Sequence, residues 1–140
     1  MTSFQSASSE QGRQFGEQCD SLLKHSGFDL LRTRVQLSDL GVEIDREARS
    51  PSGQIIWFEY KGSVQGSRPG LIRTDTMKKA IANGALLRAA QEHPPYVILA
   101  SHLPKRGSGL AMLETARQLG YFHDLICIYD PSEAARLLQL

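Results

Sequence analysis

The fold is set by residues 41–61, which read GVEIDREARSPSGQIIWFEYK. Two strand-like runs, 41–49 and 54–61, flank the cluster Ser50-Pro51-Ser52-Gly53. Proline, serine and glycine grouped in this way are a strong turn signal. The stretch therefore predicts a β-hairpin whose second strand is the more apolar of the two.

Charged residues interrupt this hairpin at regular positions. Side chains alternate across a strand, so Glu59 and Lys61 point to one face of the second strand, and Glu43 and Asp45 share a face of the first. Charges on so apolar a strand are unexpected unless they are paired or bind a metal ion. The hairpin is therefore a candidate site.

The register of the hairpin decides which of these charges meet. For a turn centred on Ser52, opposed residue numbers sum to about 104, which sets Asp45 opposite Glu59 and Glu43 opposite Lys61. A shift of the centre by half a residue moves each partner by one position, and a slip of one residue reverses the face. The sequence leaves these registers open.

The rest of the chain predicts helices and strands around the hairpin. Phe15, Cys19, Leu22 and Leu23 recur at spacings of three and four, which is typical of an amphipathic helix. The predicted elements are a helix from about residue 9 to Gly27, strands 28–37, 41–49 and 54–61, a helix 74–92, a strand 96–100, a helix 109–119, a strand 125–129 and a helix 131–139. This order predicts an α/β domain with a mixed central sheet flanked by helices. We expect a flexible arm over residues 1–8 and a single domain over residues 9–140.

Composition narrows the class of protein. The chain has 140 residues, which suits one domain, and no apolar run approaches the ~20 residues of a membrane helix. The polar N-terminus has no signal-peptide core, and Cys19 and Cys127 lie far apart. We therefore expect a cytoplasmic protein that does not enter a membrane.

Positive charge concentrates in the middle of the chain, although the net charge is only +1. Residues 46–79 hold seven Lys/Arg against three Asp/Glu. Local positive charge attracts phosphate groups, although a solvated surface is the alternative explanation. The residues expected to contact a nucleic-acid backbone are Arg68, Arg73, Lys78 and Lys79.

Two carboxylates and a lysine suit one kind of chemistry. Adjacent carboxylates repel unless one is protonated, and a divalent cation with oxygen ligands removes that cost. Mg²⁺ polarises phosphoryl oxygens and acidifies bound water, and a neighbouring lysine orients that water. The set Asp45, Glu59 and Lys61 therefore points to phosphodiester hydrolysis, whereas a structural ion pair across the hairpin is the alternative.

The pattern Gly41-Val42-Glu43-Ile44-Asp45, a turn and then Phe58-Glu59-Tyr60-Lys61 resembles the PD-(D/E)xK nuclease superfamily. The resemblance covers roughly residues 9–102 and implies a restriction-endonuclease-like αβββαβ core. It implies that Asp45 and Glu59 bind the metal and that Lys61 is the catalytic lysine. Ile44 stands where that family often has proline, and Glu17 lies where many members have a further acidic residue.

The resemblance implies a Mg²⁺-dependent DNA endonuclease in which Mn²⁺ substitutes for Mg²⁺. Glu17 and Glu43 are candidate accessory residues, with solvent-facing positions as the alternative for both. A nuclease that cuts both strands needs two sites, which leaves a homodimer open. Two other functions remain: a non-catalytic nucleic-acid-binding or assembly module on the same fold, and a small-molecule phosphodiesterase.

Overall fold

A five-stranded mixed sheet forms the centre of the protein. The computed structural model describes residues 3–62 and 74–140. The described elements are α1 (Ser3–His25), β1 (Asp29–Leu37), β2 (Val42–Arg49), β3 (Ile55–Lys61), α2 (Thr74–Leu87), β4 (Tyr96–Ala100), α3 (Gly107–Gln118), β5 (Asp124–Cys127), α4 (Pro131–Ala134) and a 3-10 helix over Ala135–Gln139. The predicted α/β class and the predicted order of elements are confirmed.

The strands lie in the order β1-β2-β3-β4-β5. The first three form an antiparallel meander, whereas β4 runs parallel to β3 and β5 runs parallel to β4. Parallel neighbours need a crossover connection, and the segments that contain α2 and α3 supply the two crossovers. The carboxyl ends of β3, β4 and β5 therefore meet at one edge of the sheet.

Helix α1 covers one face of the sheet through an apolar stripe. Phe15, Cys19 and Leu23, spaced four residues apart, are all buried and pack with Phe58 and Leu99. We call this packed layer the α1-side core. The stripe confirms the predicted helical face, and it attaches α1 to the sheet by apolar burial.

The opposite face is covered by α2 and α3. Met77 of α2 and Leu113 of α3 are buried against Trp57 and Ile98 of the sheet, in what we call the α2-side core. Apolar side chains thus cover both faces of β4, where every residue is buried. That explains why β4 reads as a continuous apolar run instead of an alternating one.

The hairpin has the predicted turn. Gly53 has φ 93°, which favours glycine, and its N–H donates to the Ser50 carbonyl at 2.8 Å. Arg46 pairs with Phe58 and Arg49 pairs with Ile55, so the register is that of a turn centred on Ser52. Of the registers that the sequence left open, the one summing to about 104 is confirmed for these pairs.

Several boundaries differ from those predicted. The first helix begins at Ser3 instead of about residue 9, so it includes most of the expected N-terminal arm. The second helix ends at Leu87, because Arg88 and Ala89 donate to carbonyls three residues back and tighten the chain into turns. Within the described part of the chain, no helix is long and apolar enough to cross a bilayer.

Candidate functional site

Glu59 and Lys61 lie on the α2 side of β3. Phe58 belongs to the α1-side core and Trp57 to the α2-side core, so alternation places Glu59 and Lys61 on the face of Trp57. Both stand near the carboxyl end of β3, where β4 runs alongside and Lys61 pairs with Ala100. The predicted shared face of the two charges is therefore confirmed.

Asp45 lies where β2 changes face. Ile44 packs in the α2-side core and Ala48 in the α1-side core, although strict alternation would place both on one face. On the neighbouring strand, Arg34 has φ 51°, and its chain neighbours Thr33 and Val35 pair with Arg46 and Ile44. The left-handed backbone of Arg34 therefore lies level with Asp45, where β2 changes face.

The carboxylate of Asp45 is fixed to β3 by a backbone hydrogen bond. The N–H of Tyr60 donates to Oδ2 of Asp45 at 2.8 Å. The pairing of β2 with β3 extends to Arg46 and Phe58, so Asp45 is the next residue beyond the described pairs. Its side chain thereby accepts a β3 donor where the ladder ends, and it lies beside Glu59.

Glu59 is a buried carboxylate, with only 3% of the residue exposed. Its Oε2 accepts hydrogen bonds from Asn83 Nδ2 at 3.0 Å and from the Tyr96 hydroxyl at 2.9 Å. Burial, a hydrogen bond with Asp45 and the negative charge of Asp45 raise the pKa of Glu59 to about 8. The charge of Lys61 and the hydrogen bond from Asn83 oppose this rise.

Lys61 completes the group. Its Nζ lies 3.9 Å from Oε1 of Glu59, and 19% of its side chain is exposed. The next residue, Gly62, lies so close to the end of β4 that a Cβ there would lie 2.3 Å from Oγ of Ser101. The close approach of Gly62 to the end of β4 fixes the position at which Lys61 leaves the sheet.

These donors suit a hard divalent cation. The structure brings Asp45 and Glu59 together with a raised Glu59 pKa, and a cation between two carboxylates would remove their repulsion. Within residues 3–62 and 74–140, no group of three or more His, Cys, Asp or Glu side chains is placed to hold a metal ion. Two carboxylates match Mg²⁺, which keeps several water ligands.

The structure does not bring the two candidate accessory residues to this group. Glu17 is exposed on α1, where its carboxylate pairs with Arg13 at 2.5 Å. Glu43 is exposed on β2 and stands opposite Gln36 of β1, and the described pairs of β2 with β3 end at Arg46. The change of face at Asp45 turns Glu43 away from the face of Glu59, and an accessory role for either glutamate stays a prediction.

The predicted nucleic-acid contacts divide into two pairs. Lys78 and Lys79 are exposed on α2, whereas Arg68 and Arg73 lie outside the described residues. Residues four apart share one stripe of a helix, so Lys79 lies one turn before Asn83, which contacts Glu59. Lys79 therefore shares the stripe of α2 that borders the candidate site.

Two residues of the site were missed from the sequence. Asn83 lies between Ala80 and Leu87, both fully buried, and a polar residue within that stripe was a detectable signal. Tyr96 shares a face of β4 with Ile98, which stands opposite Glu59. Its role became visible only with the strand order, because the sequence does not say which strand lies beside β3.

A second polar group lies on the α1 side of the sheet. Arg46 donates two hydrogen bonds to the carboxylate of Asp20, at 3.1 and 2.8 Å, and the Tyr60 hydroxyl donates to Asp20 at 2.6 Å. Burial and the bonded Asp20 raise the pKa of Tyr60, so its hydroxyl remains a donor. This group links α1 to the hairpin, and the charges of Arg46 and Asp20 are paired with each other.

Comparison with protein-family models, with curated proteins and with solved structures finds no match for the chain. The resemblance to the PD-(D/E)xK nucleases therefore rests on the residues and their arrangement, and it stays a prediction.

Proposed function

We propose that this chain is a divalent-metal-dependent endonuclease that hydrolyses phosphodiester bonds in DNA. One observation carries the proposal: Asp45, Glu59 and Lys61 meet at the carboxyl end of β3, and burial together with the neighbouring carboxylate raises the pKa of Glu59. A buried carboxylate held beside another is costly for a purely structural residue. A cation bound between the two carboxylates would offset their repulsion.

The roles of the three residues follow from their chemistry. Asp45 and Glu59 supply anionic oxygens for Mg²⁺ or Mn²⁺. A bound divalent cation supplies Lewis acidity toward a phosphoryl oxygen. The ammonium of Lys61, which is the more exposed of the two β3 charges, faces the phosphate charge and orients the attacking water.

The architecture supports a restriction-endonuclease-like core as part of the same proposal. The observed α-β-β-β-α-β order and the mixed sheet are compatible with that fold. The exposed Lys78 and Lys79 provide phosphate contacts on α2, beside the site. Replacing both by alanine should weaken DNA binding and reduce the slope of log K against log salt concentration by about 2.

A plasmid-cleavage assay tests the proposal. Supercoiled DNA is incubated with the wild type, Lys61→Ala and Glu59→Gln in separate reactions containing Mg²⁺, Mn²⁺ or EDTA. We expect metal-dependent nicking that falls by about 100-fold or more in both variants, because each removes a charge that stabilises the reaction. Lys24→Ala is the matched control, since Lys24 is exposed in the last turn of α1 and should leave cleavage unchanged.

Two outcomes would contradict the proposal. Cleavage by a clean Glu59→Gln preparation at the wild-type rate would remove Glu59 from the machinery. Absence of cleavage by the wild type on plasmid and single-stranded substrates, together with intact DNA binding, would favour a binding module on this fold.

A further inference from the structure

The two oxygens of Glu59 have different surroundings. Oε2 accepts hydrogen bonds from Nδ2 of Asn83 at 3.0 Å and from the hydroxyl of Tyr96 at 2.9 Å. Oε1 is the oxygen nearer to Lys61, with 3.9 Å between Oε1 and Nζ. The carboxylate is therefore held through one oxygen, and the other is turned toward the charged residues of the site.

The two donors come from different elements, which fixes the orientation of the carboxylate. Asn83 reaches Glu59 from α2, and Tyr96 reaches it from the first position of β4. Tyr96 is 2% exposed and packs in the α2-side core, so its ring has little freedom to move. Hydrogen bonds to a carboxylate from two rigid elements hold a single side-chain orientation.

An oxygen that already accepts two hydrogen bonds is a poor metal ligand, because binding an ion would require displacing a donor. In the metal-free protein Glu59 also shares a hydrogen bond with Asp45, which a cation between the two carboxylates would replace, and the bonds from Asn83 and Tyr96 do not involve Oε1. Oε1 also lies on the side of Lys61, from which the site is partly open. A cation would thus bind Glu59 through Oε1 alone.

We propose that Asn83 and Tyr96 are positioning residues, which hold Oε2 of Glu59 so that Oε1 is presented to a divalent cation shared with Asp45. This inference rests on the proposed function for its metal, but it concerns binding and not cleavage. Partners of a ligating side chain commonly change metal affinity by 10–100-fold when they are removed.

Calorimetric titration with Mn²⁺ tests the inference on the full chain. Tyr96→Phe removes the hydroxyl but keeps the ring, and Asn83→Ala removes the other donor. We expect each variant to bind Mn²⁺ about ten-fold more weakly than the wild type, and the double variant to bind more weakly than either single variant. The Mn²⁺ electron paramagnetic resonance spectrum should change as well, since the ligand geometry is no longer fixed.

Tyr60→Phe is the matched control. It also removes a hydroxyl donated to a carboxylate, that of Asp20, but on the α1 side of the sheet. If loss of a tyrosine hydroxyl acted only through stability, the Tyr60 and Tyr96 variants would lower Mn²⁺ affinity alike. We expect the Tyr60 variant to bind Mn²⁺ within two-fold of the wild type.

The outcomes separate this inference from the proposed function. Mn²⁺ binding in Tyr96→Phe and Asn83→Ala within two-fold of the wild type would overturn the positioning role. A wild type that binds Mn²⁺ but cleaves no DNA would contradict the nuclease while the calorimetry still decides the positioning role. A wild type that binds no Mn²⁺ would overturn both.

Discussion

Replacing Glu59 by glutamine should change how the stability of the protein depends on pH. The pKa of Glu59 is raised from its ordinary 4.5 to about 8, first by burial and then by Asp45. The folded state therefore binds a proton that the unfolded state has lost between these two pH values. By linkage, the free energy of unfolding of the metal-free wild type falls as pH rises from about 4.5 to about 8, and then levels off.

Glutamine mimics the protonated carboxyl group. Its amide oxygen can accept the hydrogen bonds from Asn83 and Tyr96, and its amide N–H can donate to Asp45. The contribution of position 59 should then be independent of pH. Because one pKa unit corresponds to about 1.4 kcal/mol, the variant should exceed the wild type at pH 8.5 by up to about 5 kcal/mol. Relaxation of the site reduces this to on the order of 2–5 kcal/mol.

Urea unfolding in EDTA from pH 5 to pH 9 measures the effect. Trp57 is the one tryptophan of the chain and is buried, so its fluorescence reports unfolding. Adding Mg²⁺ should stabilise the wild type more at pH 8 than at pH 5, because the cation competes with the proton, and it should leave the glutamine variant almost unchanged.

Glu47→Gln is the matched control, since Glu47 is a second buried glutamate of the same hairpin. Hydrogen bonds from Arg32 hold its pKa below the ordinary value, against the effect of burial. The stabilisation from ionised Glu47 is present above the unfolded pKa and is lost as pH falls. The Glu47→Gln variant should therefore be less stable than the wild type at pH 8. The difference should be about 1 kcal/mol, because the partner Arg32 is largely exposed. Stability curves of the wild type and Glu59→Gln that run parallel from pH 5 to pH 9 would refute the reasoning for Glu59.

Four further substitutions have definite expected results. Asp45→Asn keeps an oxygen for the β3 backbone N–H but removes the charge beside Glu59. Urea unfolding at pH 8 should show a free energy of unfolding about 1–2 kcal/mol higher than that of the wild type, and added Mg²⁺ should no longer stabilise the protein. Arg46→Met leaves its partner carboxylate on α1 unpaired, and should cost about 2 kcal/mol in urea unfolding without changing Mn²⁺ affinity. Gly84→Ala would place a Cβ 2.0 Å from the carbonyl oxygen of Tyr121, so it should lower Tm, whereas Gly12→Ala, with open space around it, should raise stability by up to about 1 kcal/mol.

Much of the hairpin follows from local sequence. The turn Ser50–Gly53 and the alternation along β3 place Glu59 and Lys61 on one face, and the register follows from the length of the turn. The bounds of β4 are also those predicted, because a short continuous apolar run flanked by Pro95 and Ser101 is typical of a buried central strand. These features depend on residues only a few positions apart.

Other features of the site required the tertiary structure. The family resemblance suggests Glu17 as a neighbour of the site, but α1 packs on the face opposite Glu59, and Glu17 is exposed to solvent. The change of face at Asp45 is equally hidden, since strict alternation would place Ile44 and Ala48 on one face and only their packing on opposite faces reveals it. Strict alternation therefore grouped Glu43 with Asp45, and the folded strand separates them.

The sequence by itself determined the mixed α/β class, the hairpin and the three charged residues at its end. Only the tertiary structure decided that Glu59 is buried, that its Oε2 meets Asn83 and Tyr96, and that burial and Asp45 together raise its pKa. The physical reason is distance along the chain. Periodic patterns fix which way a side chain points within one element, whereas its partners depend on which strand and helix pack beside it, and Tyr96 stands 37 residues from the glutamate it contacts.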